Sequence, residues 1–420
     1  MNIDTMRRID RWAGVPLTFA LTLLARLVEP MRSRQLVARP QRVLCIELSE
    51  MGSTILADPA LRKLRDRTGC ELHFVIFRKN RPSLDLLATI PAANVFTLRE
   101  DGLVPLLVDT LAFLRWCRAR RIDTVIDLEL FSRFTALLTG ASGAVNRVGF
   151  YRFHNEGLYR GQLLTHRVMY NPHIHIAKNF IALVNALLCG RTDVPHSKER
   201  VEDSEITLPV VNIAETELEA VRTIIKQQAP LYDRSRHRLV LLNPNASELL
   251  PQRRWMPDRY EELARRILAE DEDLLVLLTG APSERDEAGM MCDRIGSPRC
   301  INFAGATTLA QLPALYTLAE LMVTNDSGPG HFSSITRMPT FVLFGPETPA
   351  LYGSLGKATP IFAGLACSPC VSAANHRKTP CTDNRCLQAI SVAQVFALIR
   401  PLLTRVGSDQ ALKDAGQPGG

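Results

Sequence analysis

The chain has 420 residues, of which 46% are hydrophobic and 22% charged, the proportions of an ordinary globular protein. Its net charge is +7, but no basic stripe with interleaved aromatic residues occurs, which argues against a nucleic-acid partner. Six of the ten cysteines are scattered, several in apolar segments such as RVLCIEL, which favours a reducing cytoplasm.

The first 38 residues are both basic and apolar. Seven of the first 40 residues are arginines, and no charged residue occurs from Trp12 to Ala25. This run is shorter than the ~20 apolar residues that a spanning helix needs, and Pro16 interrupts it. A basic, apolar helix suits an anionic membrane surface. We therefore predict that residues 1–38 associate with a membrane; a helix packed on the body of the protein is the alternative.

Strand and helix patterns alternate in the next segment, residues 39–205. Buried-strand patterns cover 41–48, 71–77 and 122–130, and helical patterns cover 54–67 and 101–120. Such alternation predicts parallel strands joined by crossover helices. The rhythm loosens after residue 150, where 171–188 still has a helical pattern, and we predict an interdomain linker over 206–235.

Residues 236–405 repeat the alternation with greater regularity, and 406–420 are predicted to be a flexible tail. The predicted fold class is therefore α/β, with two Rossmann-like doubly wound domains facing a central cleft. Ligands of such domains bind beyond the carboxyl ends of the strands.

One such strand end is the segment VTNDSGPGHFSSITRMPTFVLFGPETPA, residues 323–350. We expect Gly328 and Gly330 to let the backbone approach a ligand. Asp326 and Ser327 are candidate caps of the following helix, whose N-terminus attracts anions. His331 is a candidate donor to a phosphate oxygen. The alternative is an ordinary capped helix with no ligand.

These residues resemble the signature of glycosyltransferase family 9, the heptosyltransferase family of lipopolysaccharide core assembly, whose members show a D-[ST]-G-x-x-H block before a PT-x-x-LFG strand. Three upstream segments resemble further family motifs in the same order: LLNPNASELLPQRRWMPDRYEELARRIL, LLVLLTGAPSERDEA and INFAGATTLAQLPAL. Near the N-terminus, SEMGSTILADPALRKL resembles the turn that follows the family's first strand.

The resemblance implies a GT-B architecture, with an N-terminal domain that binds the acceptor and a C-terminal domain that binds the donor. It implies an inverting reaction without a metal or cofactor. Arg253 matches a family lysine two places before Trp255 and is expected to clamp the donor's phosphates, and Glu284 is expected to hold the ribose hydroxyls. The expected donor is a nucleotide sugar such as ADP-heptose. The expected acceptor is a lipid-linked saccharide at the cytoplasmic face of the bacterial inner membrane, where the enzyme would be peripheral.

The match departs from the family at one important position. Ser53 follows Gly52, on the acceptor-side turn, where the family has the aspartate expected to be its general base, and a hydroxyl is a poor proton acceptor near neutral pH. We predict that Glu50 takes this role and that Ser53 positions the acceptor; Asp58, within the helix, is less well placed. A nucleotide-sugar epimerase on the same fold and a catalytically silent binding protein are the alternatives.

Four cysteines cluster near the C-terminus with the spacing C-x2-C-x10-C-x4-C: Cys367, Cys370, Cys381 and Cys386. A structural zinc site, a redox-labile pair and packed thiols are all compatible with this spacing. We favour reduced thiols or a small structural knot, without a catalytic role.

Overall fold

The computed structural model describes residues 3–32, 36–130, 132–153, 158–189, 194–246, 250–372 and 378–404. The predicted flexible tail, 406–420, lies outside these residues. Two six-stranded sheets, each entirely parallel, form the centres of two domains. The predicted α/β class with two doubly wound domains is confirmed.

The N-terminal segment is helical, with α1 over Ile3–Trp12 and α2 over Gly14–Arg32. Helix α2 packs on α6 (Arg133–Ala141) of the first domain. By length and composition alone, the stretch Thr5–Val28 is long and apolar enough to cross a membrane, although 17% of its most apolar window is buried against the protein.

The first domain has the strand order β3-β2-β1-β4-β5-β6. Its strands are β1 (Arg42–Ile46), β2 (Glu71–Phe77), β3 (Val95–Leu98), β4 (Thr124–Asp127), β5 (Asn146–Phe150) and β6 (His166–Val168). Its helices are α3 (Met51–Thr68), α4 (Pro82–Asp85), α5 (Leu103–Ala119), α6 (Arg133–Ala141) and α7 (Ile176–Leu188).

The second domain has the strand order β12-β11-β10-β7-β8-β9. Its strands are β7 (Arg238–Asn243), β8 (Leu274–Leu278), β9 (Cys300–Asn302), β10 (Ala319–Asn325), β11 (Thr340–Phe344) and β12 (Ala358–Phe362). Its helices are α8 (Glu215–Gln228), α9 (Pro257–Glu270), α10 (Arg285–Ile295), α11 (Leu312–Leu318), α12 (Gly328–Ser333), α13 (Pro349–Tyr352), α14 (Arg385–Gln388) and α15 (Val392–Leu403).

Both sheets have the same topology, because the first strand of each domain pairs with the second and the fourth. The strand order therefore reverses direction between β1 and β4 in one domain and between β7 and β10 in the other. A crevice opens at such a switch point beyond the carboxyl ends of the strands. The loops after β1 and β10 are those in which the sequence placed the candidate site.

The central strands are almost continuous apolar runs because helices cover both faces of each sheet. In β1 and β8 the described burial is nearly complete along the strand. This packing leaves the strand ends as the places where polar side chains can gather.

Part of the predicted linker, 206–235, does more than connect the domains. It contains α8, whose Val221 and Ile225 are fully buried in one apolar cluster with Leu239 and Leu241 of β7. The stretch thus supplies a helix to the second domain. The domain boundaries given above stay predictions.

Candidate active site

A buried asparagine organises the strand ends of the second domain. The Asn325 Oδ1 atom, at the end of β10, accepts a hydrogen bond from the Trp255 N–H at 3.0 Å. Its Nδ2 donates to the Pro244 carbonyl oxygen at 2.8 Å. The loop after β7 and the segment that carries Arg253 are therefore held beside the loop that begins with Asp326.

Arg253 lies between two carboxylates at this edge of the sheet. Its Nε is 3.5 Å from Asp326 Oδ2, and its Nη2 donates a hydrogen bond to Glu347 Oε2. Burial, opposed by Arg253 and reinforced by Asp326, raises the pKa of Glu347 to about 8. Burial alone would lower the pKa of Arg253, but Asp326 and then Glu347 outweigh it and raise that pKa. The cluster therefore holds a charged guanidinium beside a carboxyl group that stays protonated at neutral pH.

Glu347 is the member of this cluster that the sequence analysis missed. It follows β11 in the sequence GPET, directly after the apolar run that resembles the family's PT-x-x-LFG strand. An acid directly after the Gly-Pro pair that follows β11 is the signal that would have found it. The strand ends of β10 and β11 are neighbours in the sheet, which brings Glu347 to Arg253.

The turn after Asp326 departs in part from the expectation. Helix α12 begins at Gly328, with Ser327 at the N-cap position but without a side-chain capping bond; the Ser327 Oγ donates instead to the Asn325 carbonyl at 3.2 Å. The predicted cap by Ser327 is wrong, because its hydroxyl is turned back toward the strand. A Cβ on Gly330 would lie 3.0 Å from Ser354 Oγ, so this glycine also allows close packing of α12.

His331 lies where the two domains meet. A Cβ added to Gly52 would be only 2.6 Å from His331 Cδ2, so the acceptor-side turn of the first domain directly abuts this imidazole. Its Nδ1 lies 3.3 Å from Ser354 Oγ. Desolvation by burial lowers the pKa of His331 to about 4. The ring is therefore neutral at neutral pH and can offer a phosphate a hydrogen bond but not a positive charge.

A second contact holds the domains together nearby. The His175 Nδ1 accepts from the Ala177 N–H at 3.2 Å, so its Nε2 carries the proton. That Nε2 donates to the carbonyl oxygen of Gly353, just beyond α13, at 2.7 Å. The first and second domains are thus in direct contact beside the cleft.

Glu50 and Ser53 lie on the wall of a cavity of about 880 Å³ beyond the end of β1. Glu50 occupies the N-cap position of α3, but its side chain makes no capping bond. The Ser53 hydroxyl donates to Glu50 Oε2 at 3.3 Å. Residues of both domains line this cavity, and α1 and α2 contribute to its wall.

Glu129, another acid of this cavity, is fixed by the backbone. Its Oε1 accepts hydrogen bonds from the Leu48 and Ser49 N–H groups, both at 3.1 Å, and from the Ser49 hydroxyl at 2.7 Å. Glu129 follows β4 at the switch point of the first sheet. These bonds tie the loop after β1 to the loop after β4, and they give Glu129 a structural task.

Glu284 lies apart from the arginine cluster, at the end of β8. Its Oε2 accepts from the Ala281 N–H at 2.6 Å. Burial raises the pKa of Glu284, against the lowering effects of that backbone bond, of Arg254 and of a hydrogen bond from Asn245. Asn245 and Glu284 therefore form a polar pair at the β7–β8 strand ends, and Asn245 is a further residue that the sequence analysis did not single out.

The four C-terminal cysteines are thiols that form no disulfide with any described residue. Cys370 Sγ lies 3.2 Å from Thr379 Oγ1, and Cys386 is buried with its Sγ 3.4 Å from Asn384 Oδ1. Among the residues that the structure describes, no group of three or more His, Cys, Asp or Glu side chains could hold a metal ion. Cys367 is exposed, Cys370 and Cys381 are half-buried and Cys386 is buried, and the choice among packed thiols, a redox-labile pair and a zinc site stays a prediction.

Comparison with known proteins decides the family. The model of glycosyltransferase family 9 (heptosyltransferase) matches residues 110–379, well over half of the chain. The chain belongs to glycosyltransferase family 9. The match includes Arg253, Glu284 and the whole corner from Asp326 to His331, and it ends within the cysteine segment.

Individual relatives of this family 9 chain agree. It is 26% identical over 188 residues to lipooligosaccharide heptosyltransferase 2 of Campylobacter jejuni, covering 43% of this chain and 56% of the relative. It is 31% identical over 106 residues to lipopolysaccharide heptosyltransferase 2 of Escherichia coli, covering 24% of this chain and 30% of the relative. The chain thus spans about half the length of the first of these relatives, and less of the second.

Solved structures show the same fold. The E. coli ADP-heptose lipopolysaccharide heptosyltransferase II has a TM-score of 0.65 at 21% identity, covering 86% of this chain and 98% of that chain. A family 9 glycosyltransferase from Veillonella parvula has a TM-score of 0.67 at 20% identity, covering 87% and 98%. The expected GT-B architecture of this family 9 chain is confirmed.

Proposed function

We propose that the protein is an inverting glycosyltransferase that moves a sugar, a heptose, from a nucleotide donor such as ADP-heptose to a lipopolysaccharide-core or other lipid-linked saccharide acceptor. The observation that carries the proposal is the meeting of two strand-end corners, Glu50–Ser53 from the first domain and the Arg253 cluster with His331 from the second. An acceptor activated by one corner would lie next to a donor held by the other. Family membership and the names of the relatives supply the substrate class.

The chemistry is a single displacement at the anomeric carbon. The acceptor oxygen forms a bond to that carbon while the bond to the donor's phosphate oxygen breaks, and the diphosphate leaves with the electron pair. The acceptor's proton passes to the general base. Inversion follows because the acceptor attacks from the face opposite the leaving group, and the rate depends on stabilising the charge that develops on the diphosphate.

Three features support Glu50 as the base. It lines the cavity, its carboxylate makes no capping bond, and Ser53 lies within hydrogen-bond distance. Asp58, the other acid near this turn, is buried and paired with Arg62 at 2.8 Å. With Glu129 bound to the backbone, Glu50 is the best placed of these three acids to take a proton, and Ser53 is placed to orient the acceptor.

The donor groups follow from the second domain. Arg253 would exchange part of its contact with Asp326 and Glu347 for the phosphates, since a guanidinium binds phosphate oxygens in a bidentate fashion. His331 would donate a neutral hydrogen bond. Glu284 and Asn245 would take the ribose hydroxyls at the end of β8. No metal is assigned, and the protonated Glu347 limits the negative charge that a diphosphate would meet.

Transfer of heptose from ADP-heptose to a lipid-linked saccharide, followed by chromatography of the product, tests the proposal. Glu50→Gln keeps the shape of the side chain but removes its basicity, so we expect turnover to fall about 10²–10⁴-fold while donor binding by calorimetry barely changes. Ser53→Ala, the matched control on the same turn, should lose much less. Full turnover of Glu50→Gln would place the base elsewhere.

The same experiment separates the alternatives. An epimerase would alter the donor in the absence of acceptor, so the donor alone is incubated and its sugar analysed. A silent binding protein would bind ADP-heptose and transfer nothing to any acceptor. The proposed site of action is the cytoplasmic face of the bacterial inner membrane, to which residues 1–38 would attach the protein as a peripheral enzyme. No nucleic-acid partner is proposed.

A further inference from the structure

Helix α2 has its apolar face on the outside. The side chains that face the protein are small or hydroxylated and recur every four residues: Gly14, Thr18 and Thr22 are all buried. The large apolar side chains of the same helix are exposed: Val15, Leu17, Phe19, Leu23, Leu24 and Leu27. An ordinary surface helix of a water-soluble protein has the opposite arrangement.

Helix α2 is nevertheless firmly docked. The Thr22 hydroxyl accepts from the Gln162 N–H at 3.0 Å. A Cβ on Gly161 would lie 2.6 Å from that same oxygen, and a Cβ on Gly14 would lie 2.9 Å from Arg133 Cβ. At the other end, Arg133 pairs with Asp10 of α1 at 3.0 Å. Close approach through small residues is the way helices associate inside membranes, and here it fixes which face of α2 points outward.

Helix α5 presents a second exposed apolar face. Leu103, Val104, Leu107, Val108 and Leu111 fall on one side of it, and all are exposed. The opposite side packs into the first domain through Phe113 and Cys117. The α5 surface is therefore apolar on both sides, a pattern that water does not favour.

The acid on this part of α5 is neutralised. Asp109 accepts from the Arg99 Nε at 2.9 Å and Nη2 at 2.7 Å, and from the Arg99 backbone N–H at 2.8 Å. Arg99 lies just beyond β3, so the carboxylate is held against the domain. The exposed side of α5 from Leu103 to Leu111 thus carries no uncompensated charge.

The two apolar faces are neighbours. Both α2 and α5 pack on α6, and Leu17 of α2 and Leu103 of α5 line the cavity that contains Glu50 and Ser53. Of the twenty large hydrophobic side chains described as exposed, eleven belong to these two helices. That concentration marks a contact surface rather than the scattered apolar residues of any protein surface.

The charged residues nearby have one sign in excess. Arg8 and Arg11 of α1 are exposed, as are Arg115 and Arg118 near the end of α5. Exposed arginines beside an apolar surface match the headgroups of an anionic bilayer. An acidic protein partner is not needed to explain these arginines. The surface and its rim therefore fit one occupant, a bilayer that contains anionic phospholipid.

We propose that the exposed faces of α2 and α5 form one bilayer-docking surface, and that the cavity between them admits the head of a membrane-embedded acceptor sideways from the lipid toward Glu50. The second clause rests on the proposed function; the docking surface does not. Docking through α5 as well as the N-terminal segment fixes the orientation of the first domain on the membrane.

Point substitutions test this better than truncation, because removing α1 and α2 would take away Asp10, the ion-pair partner of the buried Arg133. The full-length chain is floated with vesicles of phosphatidylethanolamine and phosphatidylglycerol at 3:1, and with phosphatidylcholine vesicles alone. The α5 variant is Val104→Asp/Leu107→Asp, at positions that are 73% and 61% exposed. The matched control is Met290→Asp/Leu398→Asp, at positions 55% and 44% exposed in the second domain.

We expect the parent and the control to bind the anionic vesicles and the α5 variant to bind at least tenfold more weakly, with all three melting alike in vesicle-free buffer. Binding of the α5 variant equal to that of the parent overturns the proposal. A second result would also overturn it: the parent does not bind vesicles but forms a dimer, and the α5 variant is a monomer. In that case a second copy of the chain covers the surface.

The acceptor route has its own readout. The α5 variant should lose transfer to an acceptor embedded in vesicles and keep transfer to the same acceptor dispersed in detergent; equal loss in both would overturn the route. If the parent transfers nothing in either form, the proposed function fails while the flotation result still decides the docking surface.

Discussion

Replacing Gly52 by alanine should push the two domains apart at the site. The added methyl carbon would lie 2.6 Å from His331 Cδ2, and 3.3 and 3.4 Å from the Cγ and Nε2 of the same ring. Carbon atoms in contact prefer about 3.5–4.0 Å, so a relief of roughly 1 Å is needed. The His331 ring has little room to move away, because Ser354 lies beside its Nδ1 atom. Helices α3 and α12 cannot easily separate either, because Ile55 and Phe332 pack in one apolar cluster.

Overpacking of this kind costs about 1–3 kcal/mol, partly offset by the gain of about 0.5–1 kcal/mol when a helical glycine becomes alanine. The net cost is thus at most about 2.5 kcal/mol, and with an unfolding entropy of about 2.1 cal/mol/K per residue a 420-residue chain should lose up to about 3 °C in Tm. Gly289→Ala in α10 is the matched control, because its new Cβ would meet only the end of the Asn302 side chain, at 3.3 Å. That control should not lose stability.

A double-mutant cycle identifies the cause. His331→Ala removes the obstructing ring, so Gly52→Ala should cost much less stability in that background than in the parent. Unfolding is followed by far-UV circular dichroism and tryptophan fluorescence, whose transitions must coincide for the energies to be compared. An equal cost of Gly52→Ala in both backgrounds would refute the interdomain contact as its origin.

Three further predictions follow from the site and from α1. Arg253→Ala should weaken ADP binding, measured by calorimetry, at least tenfold, since a hydrogen bond to a charged group contributes about 1.5–3 kcal/mol; unchanged affinity would remove the phosphates from this cluster. Glu347 keeps its proton to about pH 8 in the folded state but loses it near its ordinary value of 4.5 when unfolded, so stability should fall as pH rises through that window. Glu347→Gln should flatten this slope by up to ~1.4 kcal/mol per pH unit in urea titrations at pH 5.5 and 7.5, and an unaltered slope would contradict the assignment. Asp10→Ala should speed proteolysis of the first 30 residues, because Asp10 Oδ1 accepts from the Arg133 and Phe134 N–H groups at 2.8 and 3.0 Å; an unchanged cleavage rate would show that other contacts hold α1.

Periodicity predicted the elements that are long or wholly apolar. Strand β2 spans 71–77 as predicted, and α5 lies inside the predicted 101–120. Strands β3, β5, β6 and β12, which lie at or next to the sheet edges, were not predicted. β6 has three residues, and β12 at the sheet edge contains Pro360. Such segments become strands because a neighbouring strand offers them hydrogen bonds, which no local pattern records.

The residues of the candidate site could be predicted from sequence motifs. The contacts between distant chain segments could not. The motif resemblance placed Asp326 and Arg253 together, and they are 3.5 Å apart. The acid after β11 is visible in the sequence, but its contact with Arg253, like that of His331 with Gly52, depends on how sheets and domains pack. Whether Glu50 replaces the missing aspartate stays a prediction.

The shared topology of the two sheets implies that one structural plan is used twice in this chain. Each copy has a buried aspartate paired with an arginine at this strand end: Asp127, the last residue of β4, pairs with Arg160, and Asp326, directly after β10, pairs with Arg253. The copies differ in their loops: the first carries Glu50 after its first strand, and the second carries Asp326 and His331 after its fourth strand. An ancestral duplication followed by division of labour would produce this relationship, and superposition of the two halves should align the two aspartates.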